Sequence, residues 1–177
     1  MIILGIDPGT ATTGYGVIKV PDDILGREFE YGLELMDYGN IFTDKEMVMG
    51  KRLWELARKL DDLIKRYKPE QMAVEMLFFG ANVKTAISVG QARGIVLMCA
   101  AKNGVSISEY AGPQMKLMVT GSGKATKEQV HFAVRKWLSK SSSRRRNRLP
   151  TKKGGHLDDA TDALAIAICH VLKMVAK

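Results

Sequence analysis

Acidic residues are the minority charge along this chain. Among its 177 residues, Asp and Glu number 19 against 27 Lys and Arg, a formal net charge of +8. An excess of that sign suits a polyanionic partner without identifying one. Cysteine is nearly missing. Cys99 and Cys169 stand far apart, each inside an apolar run, so they form neither a disulfide framework nor a metal-ligand spacing. Buried free thiols in a reducing cytoplasm are expected. The longest apolar stretch, Ala163 to Val171, falls well short of the roughly 20 residues a bilayer span needs. The opening MIILGIDPG carries Asp7 and no basic leader, so a secretory signal is not expected. No internal repeat is visible. No Ser/His/Asp or Cys/His arrangement offers a protein nucleophile.

What is present reads as one folded unit. Hydrophobic residues are 46% and charged residues 26%, enough apolar material for a core, and the length suits a single domain over 1–177. Met1 to Ile6 is a short apolar run ended by the turn signal Asp7-Pro8-Gly9. Gly14 to Val20 and about Leu35 to Phe42 follow as strands of an antiparallel meander. Between Lys51 and Tyr67 the period changes: Leu53, Ala57, Leu60 and Ile64 fall on one helix face, with Pro69 just beyond. Met72 to Glu75 reads as a strand ending in a carboxylate. Val83 to Asn103 reads as a long helix stopped by Gly104, and Val105 to Tyr110 as another strand. A short helix over Gln114 to Val119 precedes a Gly121-Ser122-Gly123 loop. Thr126 and Gln129 form a capping box for a helix to about Leu138. Nine basic residues and no acid lie between Arg135 and Lys153, so 139–157 reads as a basic, mobile loop. A final helix begins near Asp158. The order implies an α/β fold, a mixed sheet flanked by helices.

Four acids occupy special places. Asp7 ends the first strand and Glu75 the fourth. Asp159 and Asp162 open the last helix three residues apart, so both project from one face. If the first and fourth strands are neighbours and the last helix crosses their ends, the four converge. Like carboxylates packed together resist ionisation, and divalent cations resolve that conflict: Mg²⁺ takes oxygen ligands and keeps several waters. Two ions about 3.5–4 Å apart can clamp the attacking and leaving oxygens of a phosphodiester. Each acid also has a plainer reading. Asp7 suits a turn before Pro-Gly, and Asp158, Asp159 and Asp162 suit a helix N-terminus. Glu75 is hardest to explain so, because it ends an apolar strand.

Four motifs in order extend this reading. GIDPGTATTGYGV (Gly5 to Val17), VEMLFFGANVKTAISVGQARG (Val74 to Gly94), TGSGKATKEQV (Thr120 to Val130) and DDATDALAIAICH (Asp158 to His170) together resemble the RuvC family of Holliday-junction resolvases. The resemblance covers nearly the whole chain. It implies an RNase H-like fold, with a five-stranded mixed sheet carrying helices on both faces. It implies a homodimer that resolves four-way DNA junctions in recombination and repair by paired symmetric nicks, with two Mg²⁺ (or Mn²⁺) ions per site. A cytoplasmic place and a link to the RuvA–RuvB branch-migration complex follow from it, with no membrane role. Asp7, Glu75, Asp159 and Asp162 fall on the family's catalytic, metal-holding acids. Some relatives carry His at the position of Asp159, and Asp158 is its alternative. Phe78 falls on an aromatic that meets bases at the crossover, as a ring on a glycine-flanked loop could by stacking. Lys116 and Lys127 match positions near the scissile phosphate, and Lys124 is a further phosphate contact. Two features depart from the family. Gly112-Pro113 stands where relatives often have Pro followed by Arg, and the Arg-rich loop is longer than expected. That loop reads equally as a phosphate-binding arm or as a solvated linker. Two other classes remain open: an actin-like or sugar-kinase ATPase, whose phosphate loop Asp7 to Thr10 imitates, and a non-catalytic junction-binding module.

Overall fold

A computed structural model of the chain describes residues 1–21, 32–76, 83–138 and 157–176. Phe78 and residues 139–156 of the basic segment lie outside the described residues. Among the described residues ten elements follow one another: β1 (Ile2–Asp7), β2 (Thr12–Lys19), β3 (Glu34–Phe42), α1 (Met49–Tyr67), β4 (Gln71–Met76), α2 (Val83–Lys102), β5 (Ser106–Ala111), α3 (Gly112–Thr120), α4 (Lys127–Leu138) and α5 (Leu157–Val175). One sheet contains all five strands in the order β3-β2-β1-β4-β5. The meander β1-β2-β3 is antiparallel, whereas β1, β4 and β5 run parallel. The β1–β4 adjacency on which convergence of the acids depends is therefore present.

Strand alternation decides which helices cover which face. Leu4, Ile6, Val17, Met72 and Val74 point to one side, where they pack with Leu56, Leu60 and Ile64 of α1 and Ala92, Val96 and Cys99 of α2. Ile3, Ile18 and Ala73 point to the other, against Leu164, Ala165 and Ile168 of α5 and residues of α3 and α4. Helices cover both faces. Both cysteines are buried and free. No helix among the described residues is long and apolar enough to cross a membrane.

The helix boundaries follow local chemistry. The α1 backbone turns left-handed at Lys68, whose N–H donates to the Ile64 carbonyl at 2.8 Å. Gly104, at φ +69°, follows α2. The capping box of α4 is formed from both sides: Thr126 N–H donates to Gln129 Oε1 at 2.8 Å, and Gln129 N–H to Thr126 Oγ1 at 3.3 Å. Several elements begin earlier than periodicity predicts, β2 and α3 among them. Strand β2 starts at Thr12 because Thr12 and Thr13 still pair with Phe42 and Ile41. Helix α3 starts at Gly112, where Pro113 occupies the first turn and needs no N–H partner.

Helix α5 lies unusually close to the sheet. A Cβ on Gly5 would fall 2.0 Å from the Ala163 carbonyl oxygen, and one on Gly14 would fall 2.1 Å from that of Asp159. Gly16 is blocked in the same way by the Leu164 side chain. Gly5 pairs with Gly16 across β1 and β2, and Gly14 with Asp7, so these residues form a shallow track that accepts the helix backbone. At the far end, buried His170 locks the helix along the track. The Tyr110 hydroxyl meets its Nδ1 at 2.6 Å and Gln71 Oε1 meets its Nε2. Burial lowers the imidazole pKa, which favours a neutral ring that accepts at one nitrogen and donates at the other.

Gly14→Ala tests the track. The methyl group meets backbone, which cannot swing aside, so a cost of about 1–3 kcal/mol is expected, or roughly 2–4 °C of melting temperature per kcal/mol at this size. Any activity that depends on Asp159 should fall further than that loss of stability explains, because the added atom pushes on its backbone. An unchanged melting temperature and rate would show that the helix does not need this approach.

Candidate active site

Strand parity aims the first two acids. Ile3, Gly5 and Asp7 share the α5 side of β1, and Gln71, Ala73 and Glu75 share that side of β4. The register pairs Gly5 with Ala73 and Ile6 with Val74, so Asp7 and Glu75 stand side by side at the carboxyl ends of two parallel strands. Helix α5, seated on Gly14, brings Asp159 and Asp162 over them. The structure thus gathers all four acids. Asp7 is raised from 3.8 to about 8, first by burial, then by the charges of Glu75, Asp162 and Asp159. Asp162 is raised to about 6, again by burial and then by Glu75. Burial raises Glu75 too, opposed by its hydrogen bond with Asp7 and by the Lys116 and Lys127 charges. Burial and the neighbouring charges thus favour the protonated form of this carboxyl pair, which is joined by a hydrogen bond.

The donor set is all oxygen, which fits a hard divalent ion. Among the described residues, however, no three His, Cys, Asp or Glu side chains already stand in a metal-holding geometry. The convergence is electrostatic, with Asp7 and Glu75 hydrogen-bonded to each other where a cation would compete.

The two candidate ligands at the start of α5 differ in their neighbours. Asp158 lies 3.6 Å from the Lys127 ammonium, while Asp159 is the one whose charge bears on Asp7. Lys116 and Lys127 line a cavity of about 250 Å³ with Glu75 and Asp162. A second cavity of about 510 Å³, lined by Asp7, Pro8, Glu75, Met76, Val89, Gly112 and Pro113, adjoins it. Lys124 is exposed on the α3–α4 loop, and no contact among the described residues ties it to the acids. Gly112 carries a role that sequence reasoning missed. A Cβ there would approach Glu75 Oε1 to 3.0 Å, so the bare glycine leaves space beside the carboxylate. The Gly-Pro pair was the visible signal.

A sheet of this order, with acids at adjacent parallel strand ends and a last helix laid across them, is that of the RNase H-like fold. Comparison with known proteins narrows the class. The model of the family described as crossover junction endodeoxyribonuclease RuvC matches residues 3–170. The crossover junction endodeoxyribonuclease RuvC of Desulforamulus reducens is 44% identical over 170 residues, 96% of this chain and 93% of that protein. That of Syntrophomonas wolfei is 43% identical over 171 residues, covering 97% and 88%. Among solved structures, Thermus thermophilus RuvC in complex with Holliday junction substrate superposes with a TM-score of 0.81 at 29% identity, covering 99% of this chain and 96% of that one. The yeast mitochondrial Holliday junction resolvase, at 13% identity and TM-score 0.64, shares the fold. The chain belongs to the RuvC family of crossover junction endodeoxyribonucleases.

The shift at Asp7 has a measurable consequence. Burial and the charges of Glu75, Asp162 and Asp159 push the Asp7 carboxyl up to about 8 in the folded state, from an ordinary value of 3.8. Folding then takes up a proton across that window, so stability is greatest at its acid end and falls as pH rises through it. In buffer containing a chelator, the melting temperature should decline from about pH 5 to 8, and the decline should shrink in Asp7→Asn. Parallel profiles for the two proteins would count against a proton held at Asp7.

Proposed function

We propose that this chain resolves four-way DNA junctions by metal-dependent hydrolysis of phosphodiesters, with Asp7, Glu75, Asp159 and Asp162 as the catalytic and metal-holding acids. The observation that carries the reading is the gathering of these four carboxylates in an open cleft, at the ends of strands that alternation aims inward. RuvC is a family of metal-dependent nucleases, and an all-oxygen donor set suits Mg²⁺ or Mn²⁺. When bound, two divalent ions supply Lewis-acid activation of a water and of the leaving oxygen. The chain's own residues do the rest. Asp7 and Glu75 present carboxylate oxygens from rigid strands. Asp159 and Asp162 close the set from α5, and Asp158 is left to hold Lys127. Lys116 and Lys127 flank the cleft where a phosphate charge would enter, and Lys124 extends the basic side along its loop. Water's oxygen bonds to phosphorus as the bond to the 3′-oxygen breaks, leaving a 5′-phosphate and a 3′-hydroxyl. No protein nucleophile is required.

The active unit in this reading is a homodimer of single nuclease domains spanning 1–177. The outer face of α2 supports it: Ile87 and Met98 are exposed there, and a Cβ on Gly90 or Gly94 would meet nothing within 4 Å. A second helix could approach that face closely. Two sites related by a two-fold axis would nick two strands of like polarity. Phe78 as a base-stacking ring, the RuvA–RuvB complex as a partner and a cytoplasmic location rest on the resemblance.

Cleavage of a mobile four-way junction, mapped on every strand with and without Mg²⁺, tests the reading. Paired nicks placed symmetrically about the crossover are expected, and single random nicks or metal-independent cutting would refute it. Asp7→Asn should lose roughly a thousandfold or more in cleavage while binding the junction within about threefold of wild type. Lys127→Ala should slow cleavage by roughly a hundredfold. Its melting temperature should barely move, because its exposed pairing with Asp158 contributes little.

A further inference from the structure

The edge of the sheet that carries Asp7 and Glu75 continues past them in the other direction. The register pairs Asp7 with Gly14 and Thr12 with Phe42. The end of β3, the β1–β2 turn, Asp7 and Glu75 therefore follow one another along one edge, and α1 begins close to the β3 end of it. Lys116 and Lys127 flank the acids from the α3–α4 side. Arg52, in the first turns of α1, stands on the opposite flank.

Arg52 is fastened to the turn that follows Asp7. Its Nε donates to Thr43 Oγ1 at 3.0 Å. The Thr43 hydroxyl in turn donates to the Thr10 carbonyl, and Thr43 N–H donates to the Ala11 carbonyl at 3.1 Å. From the other side, the fully buried Thr13 donates its hydroxyl to the Gly9 carbonyl at 2.6 Å. Three successive turn carbonyls are thereby occupied, and the guanidinium is held by one edge only. Among the described residues its Nη groups meet no carboxylate, and Arg52 remains half-exposed. A planar fork with one edge pinned by a buried relay and the other open is pre-organised for a phosphate. The next residue, Lys51, is exposed, and the first turn of α1 contains no acid.

We propose that Arg52 binds a backbone phosphate of the junction beside the β1–β2 turn, on the opposite flank of the acids from Lys116 and Lys127. The inference rests on the nuclease reading above and adds a second anchoring point to it. The strand entering the cleft is then held on both sides of the acids, and the relay ties that contact to the turn carrying Asp7.

The test is the salt dependence of junction binding in chelator, where no cleavage interferes. Loss of one phosphate contact should reduce the slope of log K against log salt by about 0.9. Arg52→Gln should show that reduction together with several-fold weaker binding, and Arg52→Lys should restore most of the slope. Thr43→Val breaks the relay but keeps the charge, so it should slow cleavage with the slope preserved. An Arg52→Gln protein that cuts slowly but keeps the wild-type slope would overturn the proposal and leave Arg52 as a pin for the turn. If Arg52→Gln does not fold, arginine-specific dicarbonyl labelling of the wild-type chain decides. Protection of Arg52 by the junction supports the contact, and equal labelling with and without DNA overturns it. A wild-type chain that binds no junction at all would sink the nuclease reading and this inference together.

Discussion

Carboxylates that would repel one another in water are held together here in a partly buried cleft, and most of the fold can be understood as what keeps them there. Burial and mutual charge push Asp7 and Asp162 in the same direction, toward the protonated form. The nearby lysines only partly offset this, and one of them, Lys127, is itself exposed and engaged with Asp158. Such an arrangement persists only if the backbone positions are fixed by something stronger than the repulsion. Two parallel strands with cores on both faces supply that rigidity. Side chains on strands keep their direction, whereas the same acids on loops would swing apart.

The helix that completes the site is also the helix that completes one core. Beyond Asp162, α5 is almost wholly buried from Ala163 to Val171. Its short side chains, among them Ala163 and Ala167, let its backbone come down on Gly5. Close approach, apolar burial and the placement of Asp159 are therefore one structural fact. The His170 network works from the far end, tying α5 to β4 and β5 through Gln71 and Tyr110. A shift of one turn along the track would strand both aspartates and uncover apolar surface, so stability and site geometry are coupled through the same contacts.

Much of this was legible in the sequence, and the rest was not for identifiable reasons. The apolar run before Asp7 and the one before Glu75 announce strands that end in acids, because period and length are local signals. The capping box at Thr126 was equally visible, being a two-residue motif with one geometry. The alternation Ile3, Gly5, Asp7 even fixes which face Asp7 shares with the glycines. What could not be read is juxtaposition across the fold. Nothing near Arg52 in sequence points to Thr43 or Thr10, because their meeting depends on β3 pairing with β2. The division of labour between Asp158 and Asp159 likewise depends on where α4 places Lys127. Gly112 reads as a turn residue until β4 and β5 are set side by side, when it becomes the neighbour of Glu75.

The charge distribution combines two opposed demands. A net charge of +8 draws a polyanion toward the molecule from a distance, since long-range attraction depends on the sum of charges. At the centre of the cleft the sign reverses, and a phosphate meets acids that repel it. Basic side chains cannot fill that centre without displacing the gathered acids, so attraction has to come from the flanks. Lys116 and Lys127 occupy one flank, and Arg52, pinned through Thr43 to the turn after Asp7, occupies the other. In the proposed reading, a strand held at both flanks would be drawn across the acids rather than away from them. In the same reading, divalent ions would relieve the remaining central repulsion, which would couple substrate seating to metal binding.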